Sequence, residues 1–356
     1  MDQNLSQALQ EQVLTAYATS QALNIQGGQS KTWYGNPSQG IDLNLAQHSG
    51  ILNYEPSELV ITARAGTRLS EIEAALAAQG QCLAFEPPHF AASATLGGTI
   101  ACNFSGPARP YLGAARDFVL GCKLINGKGE ILQFGGQVMK NVAGYDVSRL
   151  MAGSLGTLAV LLELSLRVLP KPTTALTLVK ALTASQMLQQ ANAYARLPLP
   201  ITGFAHLNEH AYIRLSGTEG AVKQAQSIIG GEPLAASENF WLKLREQQLA
   251  FFQTPANLWR LSVPADTAVL NLAGQQLYDW GGAQRWLVSD ADAASIRLAV
   301  SQAGGHASLF RAGASTNPAD SVFQPLSTEL LHYHRQVKQA FDPKGIFNPN
   351  RLYHGL

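Results

Sequence analysis

The residues with the most chemical reach are glycines set among small polar groups. One set, Gly27-Gly28-Gln29-Ser30-Lys31, follows a short apolar strand at 23–26. A second opens with Thr95-Leu96-Gly97-Gly98-Thr99 and continues through Asn103, Ser105 and Gly106; a third is Gly153-Ser154-Leu155-Gly156-Thr157. Glycine costs backbone entropy in regular elements, so such density calls for turns with positive φ or a backbone pressed close to another surface. A large anionic cofactor is such a surface. Glycine N–H groups can point at phosphate with no Cβ in the way, and Lys31 adds a positive charge. Neither loop is a Walker A sequence or a GxGxxG fingerprint, because the spacing is missing. Any one of these glycines alone reads as an ordinary turn; the ordered set carries the signal.

The remaining composition narrows the classes. At 356 residues the chain exceeds one simple core, and two domains are expected. With 25 basic and 24 acidic residues the net charge is +1, which offers no broad field for gripping nucleic acid. Hydrophobic residues make up 46% and charged ones 14%, which suits a packed protein whose surface is partly covered by other subunits. Cys82, Cys102 and Cys122 fit no CxxC or iron–sulfur spacing and read as buried free thiols in a reducing cytoplasm, so no metal is expected. There is no apolar leader and no run of 18 apolar residues, so any membrane contact is expected to pass through partners.

The elements that must position these turns follow from periodicity. Leu5, Leu9, Val13 and Tyr17 recur at helical spacing. A strand is expected over 59–63, then a helix opened by a Ser70/Glu73 capping box and stopped at Gly80. Strands over 118–125 and 130–134 flank Asn126-Gly127-Lys128-Gly129, a hairpin signal. A long strand over 159–169 ends at Pro170 and Pro172, where the domain boundary is placed. Beyond it come two similar α/β rounds without glycine-rich loops, expected as a ferredoxin-like sheet with helices on one face. A last helix over 327–341 leads into Asp342-Pro343-Lys344-Gly345-Ile346-Phe347-Asn348-Pro349.

The order Thr-Leu-Gly-Gly, Arg116-Asp117, Lys140-Asn141-x-x-Gly144-Tyr145-Asp146 and Gly-Ser-x-Gly-Thr-Leu resembles the FAD-binding family of the p-cresol methylhydroxylase and vanillyl-alcohol oxidase type. Within it the chain is most similar, from Ile25 to Tyr353, to the FAD-binding subunits of bacterial glycolate oxidases. The resemblance implies an α+β fold: a two-subdomain FAD-binding domain over 1–170, an α/β ferredoxin-like cap over 171–326, and a tail over 327–356 that returns to the flavin domain and brings Asn348 near the isoalloxazine. It implies that FAD is held with its pyrophosphate between the two glycine turns. Gly27, Gly28, Gln29, Ser30 and Lys31 match the first loop, and Thr95, Leu96, Gly97, Gly98, Thr99, Asn103, Ser105 and Gly106 the second. Gly153, Gly156, Thr157 and Val160 match the strand edge beside flavin and adenine. Arg109 reads either as a partner for phosphate or flavin carbonyl or as a surface arginine, and Asp117 and Asp146 as loop-holding carboxylates.

Two departures from the pattern bear on activity. Catalytic relatives of this type carry Glu in the Gly-Ser-Glu-Gly-Thr turn, where this chain has Leu155, and they carry a C-terminal histidine run that is missing here. His332 and His334, two apart on a helix, face different sides and cannot share a ligand. His89 is the one residue to test for covalent flavin attachment. His306 is the best-placed imidazole for taking a hydroxy-acid proton, and Arg311 could clamp a carboxylate; both also read as ordinary loop and strand-end residues. The expectation is a FAD-binding subunit of a glycolate oxidase complex that oxidises glycolate, and also D-lactate, with a related catalytic flavoprotein and an iron–sulfur subunit as partners. It is expected in the cytoplasm, at the inner face of the inner membrane through those partners. The alternatives are a self-sufficient FAD-dependent 2-hydroxy-acid dehydrogenase and a structural subunit with a vestigial flavin site.

Overall fold

A computed structural model describes residues 3–136, 146–314, 316 and 321–356. The Lys140–Tyr145 part of the flavin-family motif lies outside them. The chain divides into two units, one formed by 1–105, 114–170 and 325–356, the other by 106–113 and 171–324.

The first unit opens with α1 (Ser6–Thr19), whose Leu9, Val13 and Ala16 are buried. Strands β1 (Leu23–Gln26) and β2 (Ile41–Asn44) pair in parallel. Next come β3 (Ile51–Glu55), β4 (Val60–Arg64), α2 (Leu69–Ala78), the short β5 (Gln81–Cys82) and α3 (Leu96–Cys102). After the excursion through α4 (Arg109–Leu112), the chain forms β6 (Val119–Ile125), β7 (Ile131–Gly135), α5 (Val147–Leu150), β8 (Val160–Arg167) and β9 (Leu169–Pro170). A five-stranded antiparallel sheet has the order β3-β4-β8-β6-β7, and β5 pairs with β9. The hairpin turns where its sequence predicts: Asn126 Oδ1 accepts from the N–H of Lys128 and Glu130, and Gly129 has φ +81°. The capping box does not form. The fully buried Leu69 draws the helix start back to itself, Arg68 sits at the N-cap without a side-chain capping bond, and Glu73 instead places Oε2 3.1 Å from His89 Nε2.

The second unit is one eight-stranded sheet built twice over the same plan. β10 (Thr174–Ala181), α6 (Ala184–Tyr194), β11 (Ile201–Leu207), β12 (His210–Gly217), α7 (Glu219–Ile229) and β13 (Glu232–Pro233) make a β-α-β-β-α-β round. After α8 (Ser237–Arg245), the second round is β14 (Leu258–Ser262), β15 (Gln275–Asp279), β16 (Gln284–Val288), α9 (Ala293–Gln302) and β17 (His306–Arg311). The order β13-β10-β12-β11-β15-β16-β14-β17 reads fourth-first-third-second from each outer edge inward, with the rounds joined where β11 meets β15. This is the expected ferredoxin-like duplication. The second round runs through 263–274 without its first helix. Helix α8 corrects the expectation of helices on one face. Its Trp241 donates to Thr177 Oγ1, and Thr177 alternates with Leu178 of the core packed by α6 and α7, so α8 covers the other side. The chain then returns to the first unit as α10 (Thr328–Phe341), capped by Ser327 Oγ, which accepts from Leu330 N–H.

Candidate cofactor site

The first two glycine turns meet through Thr95. Its Oγ1 accepts from Gly28 N–H at 3.4 Å, and a Cβ on Gly27 would stand 2.6 Å from it. A Cβ on Gly28 would lie 1.5 Å from the Ser93 carbonyl oxygen, so the first turn can press against the second only as glycine. The second turn is the start of α3. Leu96 and Gly97 give their N–H groups to the carbonyls of Thr67 and Ala65, and Gly97 packs where a Cβ would meet that of Ala65 at 2.7 Å. Two amides that could have faced a phosphate therefore hold the fold instead, and Gly98 lines open space with its N–H not spent in that way.

Helix α3 carries the arrangement to the third turn. At its C-terminal end Ile100 and Ala101 accept from the N–H groups of Gly153 and Leu155, and Asn103 closes it at φ +53°. The turn itself holds Leu155 at φ +51° and Gly156 at φ +71°. Asn348, from the C-terminal tail, locks onto it: its Nδ2 donates to the Leu155 carbonyl at 2.8 Å and its Oδ1 accepts from Ile25 N–H at 2.7 Å. A Cβ on Gly156 would sit 2.7 Å from Asn348 Nδ2.

Between these turns lies a cavity of about 260 Å³, with an adjoining lobe of about 70 Å³ that shares the wall formed by Ile25, Gly27, Thr95, Gly98, Leu155 and Asn348. Gly28, Gln29, Ser30 and Lys31 line the larger space, and Gly97 and Gly156 the smaller. Leu96, Thr99, Thr157 and Val160 are buried behind these walls. Asn103 and Ser105 tie the following loop, accepting from the N–H groups of Arg116 and Ala115. Gly153 packs beside Asn103. Gly106 and Arg109 belong to the second unit, where Trp280 Nε1 donates to the Gly106 carbonyl and the Arg109 guanidinium stacks 4.4 Å over the Trp280 ring.

Among the lining residues, the cation Arg351 was not singled out from sequence, and Cys102 was read there only as a buried thiol. Arg351 follows Asn348 in the same tail, and a basic residue just after Asn-Pro was the available signal. Its guanidinium donates to the Tyr34, Thr32 and Asn36 carbonyls, which aim it along the rim. Lys31 is buried, with Nζ 3.1 Å from Ser30 Oγ and 3.3 Å from the His89 carbonyl. Burial pushes the Cys102 thiol up to about 11, against the opposing pull of Lys31 and Arg351, so it stays neutral. Among the described lining residues there are two cations and no carboxylate or imidazole. Such a wall suits a diphosphate and offers no general base. The residues fit an anionic cofactor.

His306 and Arg311 stand in the second unit, at opposite ends of β17, five residues and so roughly 16 Å apart along an extended strand. Burial and the nearby Arg260 lower the His306 pKa. Arg311 Nη2 donates to Gln247 Oε1 at 2.7 Å and Nη1 to the Phe252 carbonyl.

Comparison with known proteins gives the family. Residues 6–135 match the family described as FAD binding domain, and residues 319–352 the family described as FAD linked oxidases, C-terminal domain. The chain is 50% identical over 348 residues to glycolate oxidase subunit GlcE of Escherichia coli (strain K12), covering 98% of this chain and 97% of that one. It is 33% identical over 144 residues to glycolate oxidase subunit GlcD of Bacillus subtilis (strain 168), covering 40% of this chain and 30% of that one. Among solved structures, alkyldihydroxyacetonephosphate synthase superposes with a TM-score of 0.65 at 15% identity, over 96% of this chain and 74% of that one, which shows a shared fold.

Proposed function

This chain belongs to the family of FAD-linked oxidases that includes glycolate oxidase subunit GlcE, and from that premise we propose that it is the companion flavin subunit of a glycolate oxidase complex. Its cofactor is FAD. The first unit, 1–105, 114–170 and 325–356, is the cofactor domain, and the second, 106–113 and 171–324, the cap. When bound, FAD would supply a redox centre that takes up electrons and passes them on. The chain's own residues bind and orient it: Lys31 and Arg351 face the diphosphate, Gly27, Gly28 and Gly98 let the backbone approach, and Asn348 closes the third turn over the smaller lobe. The remaining residues matched in the second and third turns hold these walls.

The observation that carries the companion reading is the cavity wall itself, with two cations and, among its described residues, no proton acceptor. Leu155 stands where catalytic relatives are expected to carry a glutamate. Glycolate oxidation to glyoxylate, and any turnover of D-lactate, then belongs to a related flavoprotein subunit, and an iron–sulfur subunit takes the electrons towards quinone. No helix among the described residues is long and apolar enough to cross a membrane, and attachment to the inner face of the inner membrane runs through those partners. The test is reconstitution. Glycolate-dependent dye reduction requires this chain together with its partner subunits, and the chain alone gives none. Turnover by the chain alone would instead support a self-sufficient dehydrogenase, though not one that uses His306 and Arg311 as a pair, since they stand at opposite ends of β17.

A further inference from the structure

One buried ammonium joins two walls of the cavity without touching it. Lys338, on α10, spends its three Nζ donors on the Thr157 carbonyl at 2.7 Å, the Phe347 carbonyl at 2.9 Å and Asp342 Oδ2 at 2.8 Å. Asp342 is equally committed: Oδ2 also accepts from Phe347 N–H at 2.7 Å, and Oδ1 accepts from Ile346 N–H at 3.0 Å. Both side chains are buried. On one side this pair grips the end of the turn that presents Leu155 and Gly156 to the cavity. On the other it fixes the backbone entering Asn348 and Arg351, which also line the cavity. Phe347 is also seated in the core beside β1, where the Asn348 N–H donates to the Leu23 carbonyl. Gly127 completes the seat, for a Cβ there would lie 2.6 Å from Asp342.

An aliphatic residue at 338 would fill the same volume, leave the Thr157 and Phe347 carbonyls buried without this donor, and leave the Asp342 carboxylate buried without its cation. A buried ion pair is a poor device for stability alone, since well-packed apolar residues do as well or better; its use is to fix one geometry. Here the geometry fixed is the seating of the C-terminal tail on the third turn.

We propose that Lys338 and Asp342 are positioning residues for the cofactor cavity, and that they make docking of the C-terminal tail and binding of FAD mutually dependent. The inference rests on FAD being the ligand. Linkage then works in both directions: whatever loosens the tail weakens FAD, and FAD tightens the tail by the same factor.

The experiment uses the full chain stripped of cofactor. FAD is titrated by flavin fluorescence, and tryptic cleavage after Lys344 and Arg351 is followed with and without FAD. For the native chain, saturating FAD slows cleavage at both sites at least tenfold. Lys338→Met and Asp342→Asn each raise the FAD dissociation constant at least tenfold and lose that protection, while amide exchange in β10–β17 is unchanged. The double variant Lys338→Met/Asp342→Leu leaves no lone buried charge. It folds, and it still binds FAD at least tenfold more weakly than the native chain. Variants that bind FAD within twofold of the native chain would overturn the proposal, as would equal cleavage of the native chain with and without FAD. A native chain that takes up no FAD would overturn the cofactor reading and the proposal with it.

Discussion

Gly156 shows how one residue can answer to both the fold and the site. At φ +71° and with Asn348 Nδ2 only 2.7 Å from its would-be Cβ, it cannot accept a side chain without displacing the tail. Gly156→Ala is expected to destabilise the protein by about 1–3 kcal/mol and to weaken FAD in parallel, measured by urea unfolding and flavin titration on one sample. Lys31 acts by charge. Replacing it with Met removes one charge-assisted contact, so FAD affinity should fall roughly tenfold to a hundredfold with little change in unfolding midpoint. The buried Cys122 thiol gives a pH signature. Burial raises it from the ordinary 9.0 to about 11, so the unfolded chain loses that proton first as pH rises. Its contribution is complete below pH 9 and lost between pH 9 and 11, about 3 kcal/mol at 1.36 kcal/mol per pH unit. Urea unfolding of Cys122→Ala should accordingly show a shallower fall in stability over that window than the native chain.

Among the elements, those with a local signal were legible and those decided by packing were not. Asn126 to Gly129 announce their hairpin because side-chain and glycine chemistry at the turn settle it. Helices α7 and α10 start at Thr218 and Ser327, caps visible in the sequence. Helix α3 was readable only as a turn, since Gly97 and Gly98 are poor helix formers. Burial of Leu96 and Ile100 overrides that propensity. Helix α8 is short and is held by Trp241, whose hydrogen bond to Thr177 no pattern reveals. The cavity was legible as glycines, and half of its charge was missed because Arg351 lies at the far end of the chain. Segment 106–113 is a similar case. It belongs to the second unit through the bond from Trp280 to the Gly106 carbonyl and the stacking of Arg109. Trp280→Phe should cost about 1–2 kcal/mol and speed amide exchange at Tyr111, Leu112 and Gly113 selectively.

For the whole molecule, the division of labour follows from what each unit contains. The first unit holds a cationic cavity walled by glycine turns and closed by the C-terminal tail, and the second repeats one ferredoxin-like plan without a glycine-rich loop. A flavin in such a site has its negative charge matched, and the described cavity lining offers it no base. The chain is built to hold FAD and to work with partners. The direct test is the absorbance spectrum of the purified chain before and after anaerobic glycolate. Flavin bands near one FAD per chain, unbleached by glycolate alone and bleached once the partner flavoprotein and iron–sulfur subunit are added, are the predicted result. A chain that takes up no flavin even when FAD is supplied would contradict the account, and prompt bleaching of the isolated chain would move catalysis onto it.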